Sequence, residues 1–281
     1  MLKKLFAYFQ YILPQHLLTK LFARLGQVST PWVKNNLIHS FVKYYQVDLN
    51  EAVIEDVTNY PTFNDFFIRH LKPTCRPINH DDSFVVSPVD GTIAQGGKIR
   101  KNQLLQAKGH SFSLEALLAH AKTAALFENG EYETFYLAPR NYHRVHMPFS
   151  GKLLSATYIP GRLFSVNKIT AEIIPDLYAR NERLVMLFET ELGPMAIVMV
   201  GALIVGGMQT IWMNRPVKYT SIQELLIPTN LVLNKGDELG YFIVGSTVLL
   251  LFGPQTIHWD PETPRSIHFG QKIATKIISL H

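Results

Sequence analysis

Apolar residues recur at helical spacing along the first part of the chain. Leu2, Leu5, Phe6, Phe9, Ile12 and Leu13 form one stripe, which Pro14 interrupts. Leu17, Leu18, Leu21, Phe22 and Leu25 form a second, closed by Gly26. Leu37, Ile38, Phe41, Val42 and Tyr45 form a third, after Pro31. The pattern predicts three amphipathic helices. Such stripes usually pack on a protein's own core, but a lipid surface satisfies them equally, and the two uses can coexist. A polar connector holding Phe63-Asn64-Asp65-Phe66-Phe67 follows, up to residue 82.

From Phe84 the pattern changes to short apolar runs broken by Gly, Pro and Asn. The runs cover residues 84–86, 134–138, 152–159, 184–188, 196–205, 239–244 and 248–252. Their spacing predicts a β-rich, mostly antiparallel body. The exception is 113–126, where Ser113 as N-cap with Leu114, Leu117, Leu118 and Ala121 on one face predicts a helix. The expected class is therefore α+β, with residues 1–47 as amphipathic helices and 48–281 as the body. The apolar run 196–208 contains Gly201, Gly206 and Gly207. It is short against the roughly 20 residues a membrane helix needs, and reads better as buried strand. Lys3-Lys4 before residues 5–13 resembles the start of a signal peptide, but no small-residue cleavage site follows and Gln10 interrupts it. The segment is read as retained.

Charge sharpens the picture of the N-terminal helices. Residues 1–47 hold Lys3, Lys4, Lys20, Arg24, Lys34 and Lys43 and no acid, so they carry +6 and the other 234 residues −1 of the net +5. A basic amphipathic end on a near-neutral body points to an anionic membrane surface and away from nucleic acid. The single cysteine, Cys75, excludes an intrachain disulfide framework and a cysteine-built zinc site.

Four constellations could carry chemistry. Asp90-Gly91, after Ser87-Pro88-Val89, is by itself an ordinary turn. His143 and His146 lie in Tyr142-His143-Arg144-Val145-His146-Met147-Pro148, and imidazoles are the usual proton carriers near neutral pH. A metal held by this pair lacks a third ligand nearby, and Arg144 opposes a cation, so no metal is expected. A serine hydrolase using Ser246, a histidine and Asp90 is open, although Val248 replaces the second glycine of a Gly-x-Ser-x-Gly elbow. Phe164-Ser165-Val166-Asn167 and Asn181-Glu182-Arg183 serve either as turn polar groups or as substrate contacts. Val244-Gly245-Ser246-Thr247 is, as bare letters, another turn. A non-catalytic lipid-surface protein also fits these features.

In combination the runs resemble the bacterial membrane-bound phosphatidylserine decarboxylases. The likeness takes in residues 63–69, 87–91, 107–114, 136–140 and 142–148, then Pro160-Gly161, 163–167, 179–183 and 245–247. Val244 departs from the Leu more frequent there, a conservative apolar change. The resemblance implies a self-cleaving proenzyme. Ser246 would attack the Gly245 carbonyl, with His146 and Asp90 completing a charge-relay triad, and the chain would part into 1–245 and 246–281. Ser246 would be left as a covalent pyruvoyl cofactor that forms a Schiff base with the substrate amine. His143 would assist decarboxylation or protonate its product. The implied partners are an anionic phospholipid substrate and the cytoplasmic face of the cell membrane, bound peripherally. The two cleavage products would remain together as a heterodimer, which the resemblance allows to dimerise further.

Overall fold

A computed structural model describes residues 2–107, 109–204, 207–243, 246–260 and 265–277. Three helices open the chain, α1 (Leu2–Ile12), α2 (Gln15–Leu25) and α3 (Pro31–Tyr45), and the short α4 (Phe63–Phe67) follows. Strands β1 (Phe84–Val86), β2 (Gly91–Lys98), β3 (Gln103–Ala107) and β4 (His110–Ser113) lead to α5 (Leu114–Leu118) and α6 (Ala121–Ala125). Next come β5 (Glu131–Leu137), β6 (Arg144–His146), β7 (Gly151–Ile159), α7 (Lys168–Ile173) and α8 (Leu177–Arg180). The chain then runs through β8 (Arg183–Thr190), β9 (Gly193–Val200), β10 (Gly207–Thr210), β11 (Gln223–Glu224) and β12 (Val232–Leu233). It ends with β13 (Glu238–Ile243), β14 (Ser246–Phe252), β15 (Ile257–Trp259), β16 (Arg265–Ile267) and β17 (Lys272–Lys276).

The fold is α+β and rich in antiparallel strand, as the apolar runs predict. A nine-stranded sheet runs in the order β11-β7-β8-β9-β14-β5-β2-β16, with β12 also on β7. The continuous run Val248 to Phe252 explains why β14 lies near its middle. Each of these side chains is fully buried, as an uninterrupted apolar strand requires, whereas an alternating strand needs one wet face. A smaller sheet, β10-β13-β6, carries the histidine segment.

The register brings many strand ends to one edge of the large sheet. Ile267 of β16 faces Gly91, Thr92 faces Tyr136, and Ser246 faces Leu137. Thr247 faces Val200, which faces Arg183, which in turn faces Ile159. The loops flanking these ends hold most of the motifs that the sequence singles out. Gly91 is needed here because a Cβ would meet the Tyr136 carbonyl oxygen at 2.5 Å.

The N-terminal stripes part company. In α1 and α2 it is the polar side that faces the body. Gln10, Gln15 and Thr19 are buried, and Gln10 and Gln15 accept hydrogen bonds from the Ser165 and Leu163 N–H groups. Leu5, Phe6, Phe9, Ile12, Leu17, Leu21 and Phe22 are exposed, Ile12 to 75%. The third stripe turns inward instead. Ile38 is buried with Val47, Val57, Tyr60, Phe63, Phe66 and Phe67 in a separate small core against α4.

Residues 113–126 are two helices and not one. Ser113 caps α5 as predicted, its side chain accepting from the Ala116 N–H. The helix stops because the buried Arg183 guanidinium donates to the Ala116 and Leu117 carbonyls, which it takes as its own partners. Ala119 is left-handed at φ +54°, and His120 caps α6 by accepting from the Thr123 N–H. The run 196–205 ends as strand at Val200, and no described helix is long and apolar enough to cross a membrane.

Candidate active site

The histidines sit on a short path between β5 and β13. Beyond Leu137, Asn141 closes a turn by donating its N–H to the Ala138 carbonyl and accepting the Ala138 N–H at its side chain. The chain returns as β6, which pairs with β13 through Tyr241 opposite Arg144 and Glu238 opposite His146. The Phe242 N–H donates to the His143 carbonyl at 3.1 Å. The strand that leads towards Ser246 is thus hydrogen-bonded to the histidine segment.

His143 is fully buried, with its ring stacked on Phe67 at 4.1 Å. Its Nε2 lies 3.3 Å from the Pro139 carbonyl, an acceptor, so Nε2 carries the proton of the neutral ring. Nδ1 is then a bare lone pair, and it has no partner among the described residues. His146 lies between Phe269, at 3.7 Å, and Tyr142. Its Nδ1 donates to the Gly236 carbonyl at 3.0 Å, and its Nε2 accepts from the Tyr142 hydroxyl at 3.0 Å. Burial pushes His143 down to about 3 and His146 to about 4, so both are neutral bases near pH 7.

Asp90 is buried too, immediately before β2. It accepts from Arg76 Nε at 3.0 Å and Nη2 at 2.6 Å, and from the Phe269 N–H at 2.8 Å. His268 Nδ1 stands 3.5 Å away. Arg76 forks onto Glu51 with its other edge, at 2.7 and 2.9 Å. No described hydrogen bond joins Asp90 to His146. Phe269 lies between them, its N–H on the carboxylate and its ring on the imidazole.

Ser246 opens β14 directly across from Leu137. Two residues past Leu137 stands Pro139, whose carbonyl meets His143, so the Ser246 backbone and the His143 ring converge on one turn. Val244 and Gly245 lie outside the described residues, as does the Ser246 side chain. Asn181 and Asn167 work as loop fasteners. Asn181 donates to the Phe164 and Gly201 carbonyls, and Asn167 caps α7. Sequence reasoning missed Arg76 and Phe269, which surround the expected triad members. No local motif marks them, because their relevance comes from contacts made far along the chain.

The buried ionisable groups predict a stability optimum near pH 6.5. Both histidines have folded values below the ordinary 6.5, so the unfolded chain binds more protons and stability falls as pH drops from 6.5. Glu133 is 1% exposed and is pushed up to about 8 by burial. Its contribution is complete below its ordinary 4.5 and is lost as pH rises through 8, which offsets one histidine on the acid side and governs the alkaline limb. Melting temperatures from pH 4.5 to 8.5 should peak near 6.5. Glu133→Gln should flatten the decline between 6.5 and 8; an unchanged decline would refute this origin.

Comparison with known proteins supplies the remaining observation. The sequence model described as phosphatidylserine decarboxylase matches residues 63–275, and one described as PSD matches residues 5–46. The phosphatidylserine decarboxylase proenzyme of Azotobacter vinelandii is 47% identical over 263 residues, covering 91% of this chain and 92% of its own length. The Bordetella avium proenzyme of the same name is 47% identical over 276 residues, 94% of this chain and 92% of its own. That of Ectopseudomonas mendocina is 48% identical over 270 residues, 93% and 94% respectively.

Proposed function

The chain belongs to the phosphatidylserine decarboxylase family, whose members are carboxy-lyases, and on that premise we propose how it works. It converts phosphatidylserine to phosphatidylethanolamine and carbon dioxide, after cutting its own backbone between Gly245 and Ser246. The observation that carries this reading is the convergence of the Ser246 backbone, two buried neutral imidazoles and a buried carboxylate at one sheet edge.

In the first stage Ser246 Oγ adds to the Gly245 carbonyl, giving up its proton to a base as the peptide bond becomes an ester. Removal of the Ser246 Cα proton expels the Gly245 carboxylate. The dehydroalanine left at position 246 takes up water, loses ammonia and becomes pyruvoyl. His146 is the base and the negative field of Asp90 favours its protonated form, transmitted across Phe269. One observation favours the opposite division: the Nδ1 lone pair of His143 has no partner among the described residues, whereas Nε2 of His146 is occupied by Tyr142.

The residues suit a pyruvoyl group. Position 246 begins a strand whose later side chains are fully buried, and His143 brings an unshared lone pair into a dry setting. A pyruvoyl carbonyl supplies the electron sink that a serine head group needs to lose carbon dioxide. His143, held by Pro139 and Phe67, exchanges a proton at the substrate carbon.

The large piece, 1–245, and the small one, 246–281, stay together as a heterodimer, since β14 of the small piece is paired on both sides by β5 and β9. Residues 1–47 form the membrane-association segment and 48–281 the catalytic body. The outward apolar faces of α1 and α2, with exposed Lys3, Lys4, Lys20 and Arg24 and no acid in 1–47, suit peripheral binding to an anionic cytoplasmic leaflet. The test is mass spectrometry of the purified full chain alongside carbon dioxide release from phosphatidylserine vesicles. The expected masses are those of 1–245 and a pyruvoyl-headed 246–281. A fully intact chain in a preparation that releases carbon dioxide would sink the proposal.

A further inference from the structure

One buried cation on the histidine turn has no assigned role. Arg69 is 5% exposed, and among the described residues only one of its three guanidinium nitrogens is engaged. Nη2 donates to the Arg140 carbonyl at 3.1 Å, while Nε and Nη1 have no partner among the described residues. A cation–π contact with the Phe66 ring, at 5.4 Å, is its other compensation. An ionised guanidinium buried with two nitrogens unpaired is costly and calls for an anion.

The position of Arg69 says which anion. Its Nη2 rests on the Arg140 carbonyl and the His143 ring on the neighbouring Pro139 carbonyl, in the turn that follows the partner of Ser246. Arg69 also lines a cavity of about 310 Å³ with Val53, Ile54, Tyr60, Asp65, His70 and Arg144. The other two ionic groups there are engaged. Arg144 is spent on Glu238 and the Ile68 carbonyl, and Asp65 accepts the Thr62 hydroxyl. Arg69 is the cation left for a ligand among these residues.

We infer that Arg69 receives the phosphodiester of the substrate head group, docking it beside His143 and the start of β14. This rests on the decarboxylase reading above. The substrate offers two oxyanions, a carboxylate and a phosphodiester. A guanidinium on the carboxylate would stabilise the charge that must disappear as carbon dioxide leaves, which opposes the reaction. A phosphodiester keeps its charge throughout, so the same contact holds substrate without penalising the chemical step, and guanidinium geometry suits it.

Two measurements test the inference. In the first, wild-type protein and Arg69→Gln are melted with dimethyl phosphate or N-acetyl-L-serine at matched ionic strength. Neither probe has a primary amine, so neither can condense with a carbonyl. Dimethyl phosphate should raise the wild-type melting temperature and leave Arg69→Gln unmoved. A shift with N-acetyl-L-serine alone, or with neither probe, overturns the phosphodiester assignment. In the second, Arg69→Gln should raise KM for phosphatidylserine roughly 10- to 100-fold with kcat little changed, and Arg69→Lys should recover part of it. A lowered kcat at unchanged KM overturns the docking role and leaves Arg69 as a neighbour that tunes His143. Should Arg69→Gln fail to fold, Arg69→Lys and the wild-type melt still decide. Wild-type protein that releases no carbon dioxide would instead defeat the decarboxylase reading, while the melts continue to test the anion site.

Discussion

Ser246→Ala should run as a single band of 281 residues and release no carbon dioxide from phosphatidylserine. The proposed chemistry makes the loss complete, because one residue both opens the backbone with its hydroxyl and supplies the Cα that becomes the electrophilic carbonyl carbon. The neighbouring hydroxyl cannot take over. Thr247 is buried, pairs with Tyr136 and Val200, and as the next residue in β14 projects to the opposite face of the sheet. The substitution removes a single oxygen, so the variant should melt close to the wild-type chain held before cleavage. That separates lost chemistry from lost structure. Cleavage persisting in Ser246→Ala, read by mass spectrometry, would rule out Ser246 as the internal nucleophile.

The two histidine variants should fail at different stages. His146→Ala is expected to accumulate as intact chain, its cleavage slowed by roughly 10²–10⁴, the usual contribution of a positioned base. His143→Ala should cleave and then decarboxylate poorly. A time course on a denaturing gel, followed by carbon dioxide release from each cleaved fraction, separates the stages. The reverse outcome would assign Nδ1 of His143 to Ser246, and would leave His146, tied to Tyr142 and Gly236, as the later proton carrier. Equal cleavage in both variants would remove the histidines from the first stage altogether.

The burial of α1 and α2 shows how far periodicity reaches. Helical spacing located both helices and the stripe on each, but the stripe alone left its partner open. The tertiary structure settles the direction: Gln10 and Gln15 face the body because the backbone N–H groups of Ser165 and Leu163 need acceptors, which leaves the leucines and phenylalanines outside. The broken helix over 113–126 has the same kind of cause. No Gly or Pro marks the break, since the group that ends α5 is Arg183, more than sixty residues away.

At the candidate site, residue chemistry and the resemblance together singled out Asp90, His143, His146 and Ser246, and the family comparison agrees with the resemblance. Motif order cannot say how such residues face one another. The tertiary structure sets Asp90 against Arg76 and the Phe269 N–H, leaves Nδ1 of His143 without a partner among the described residues, and turns Nε2 of His146 to Tyr142.

By itself, then, the sequence determined the element types, the strand-rich class and the basic amphipathic end, and it named the candidate residues of the site. These follow from local periodicity, net charge and short motifs, which are properties of neighbours along the chain. Which face of α1 and α2 is wet, where α5 stops, and which polar groups surround each histidine were decided only by the fold. Those outcomes depend on hydrogen-bonding groups brought together from distant segments, and burial leaves each of them to find a partner there or go without.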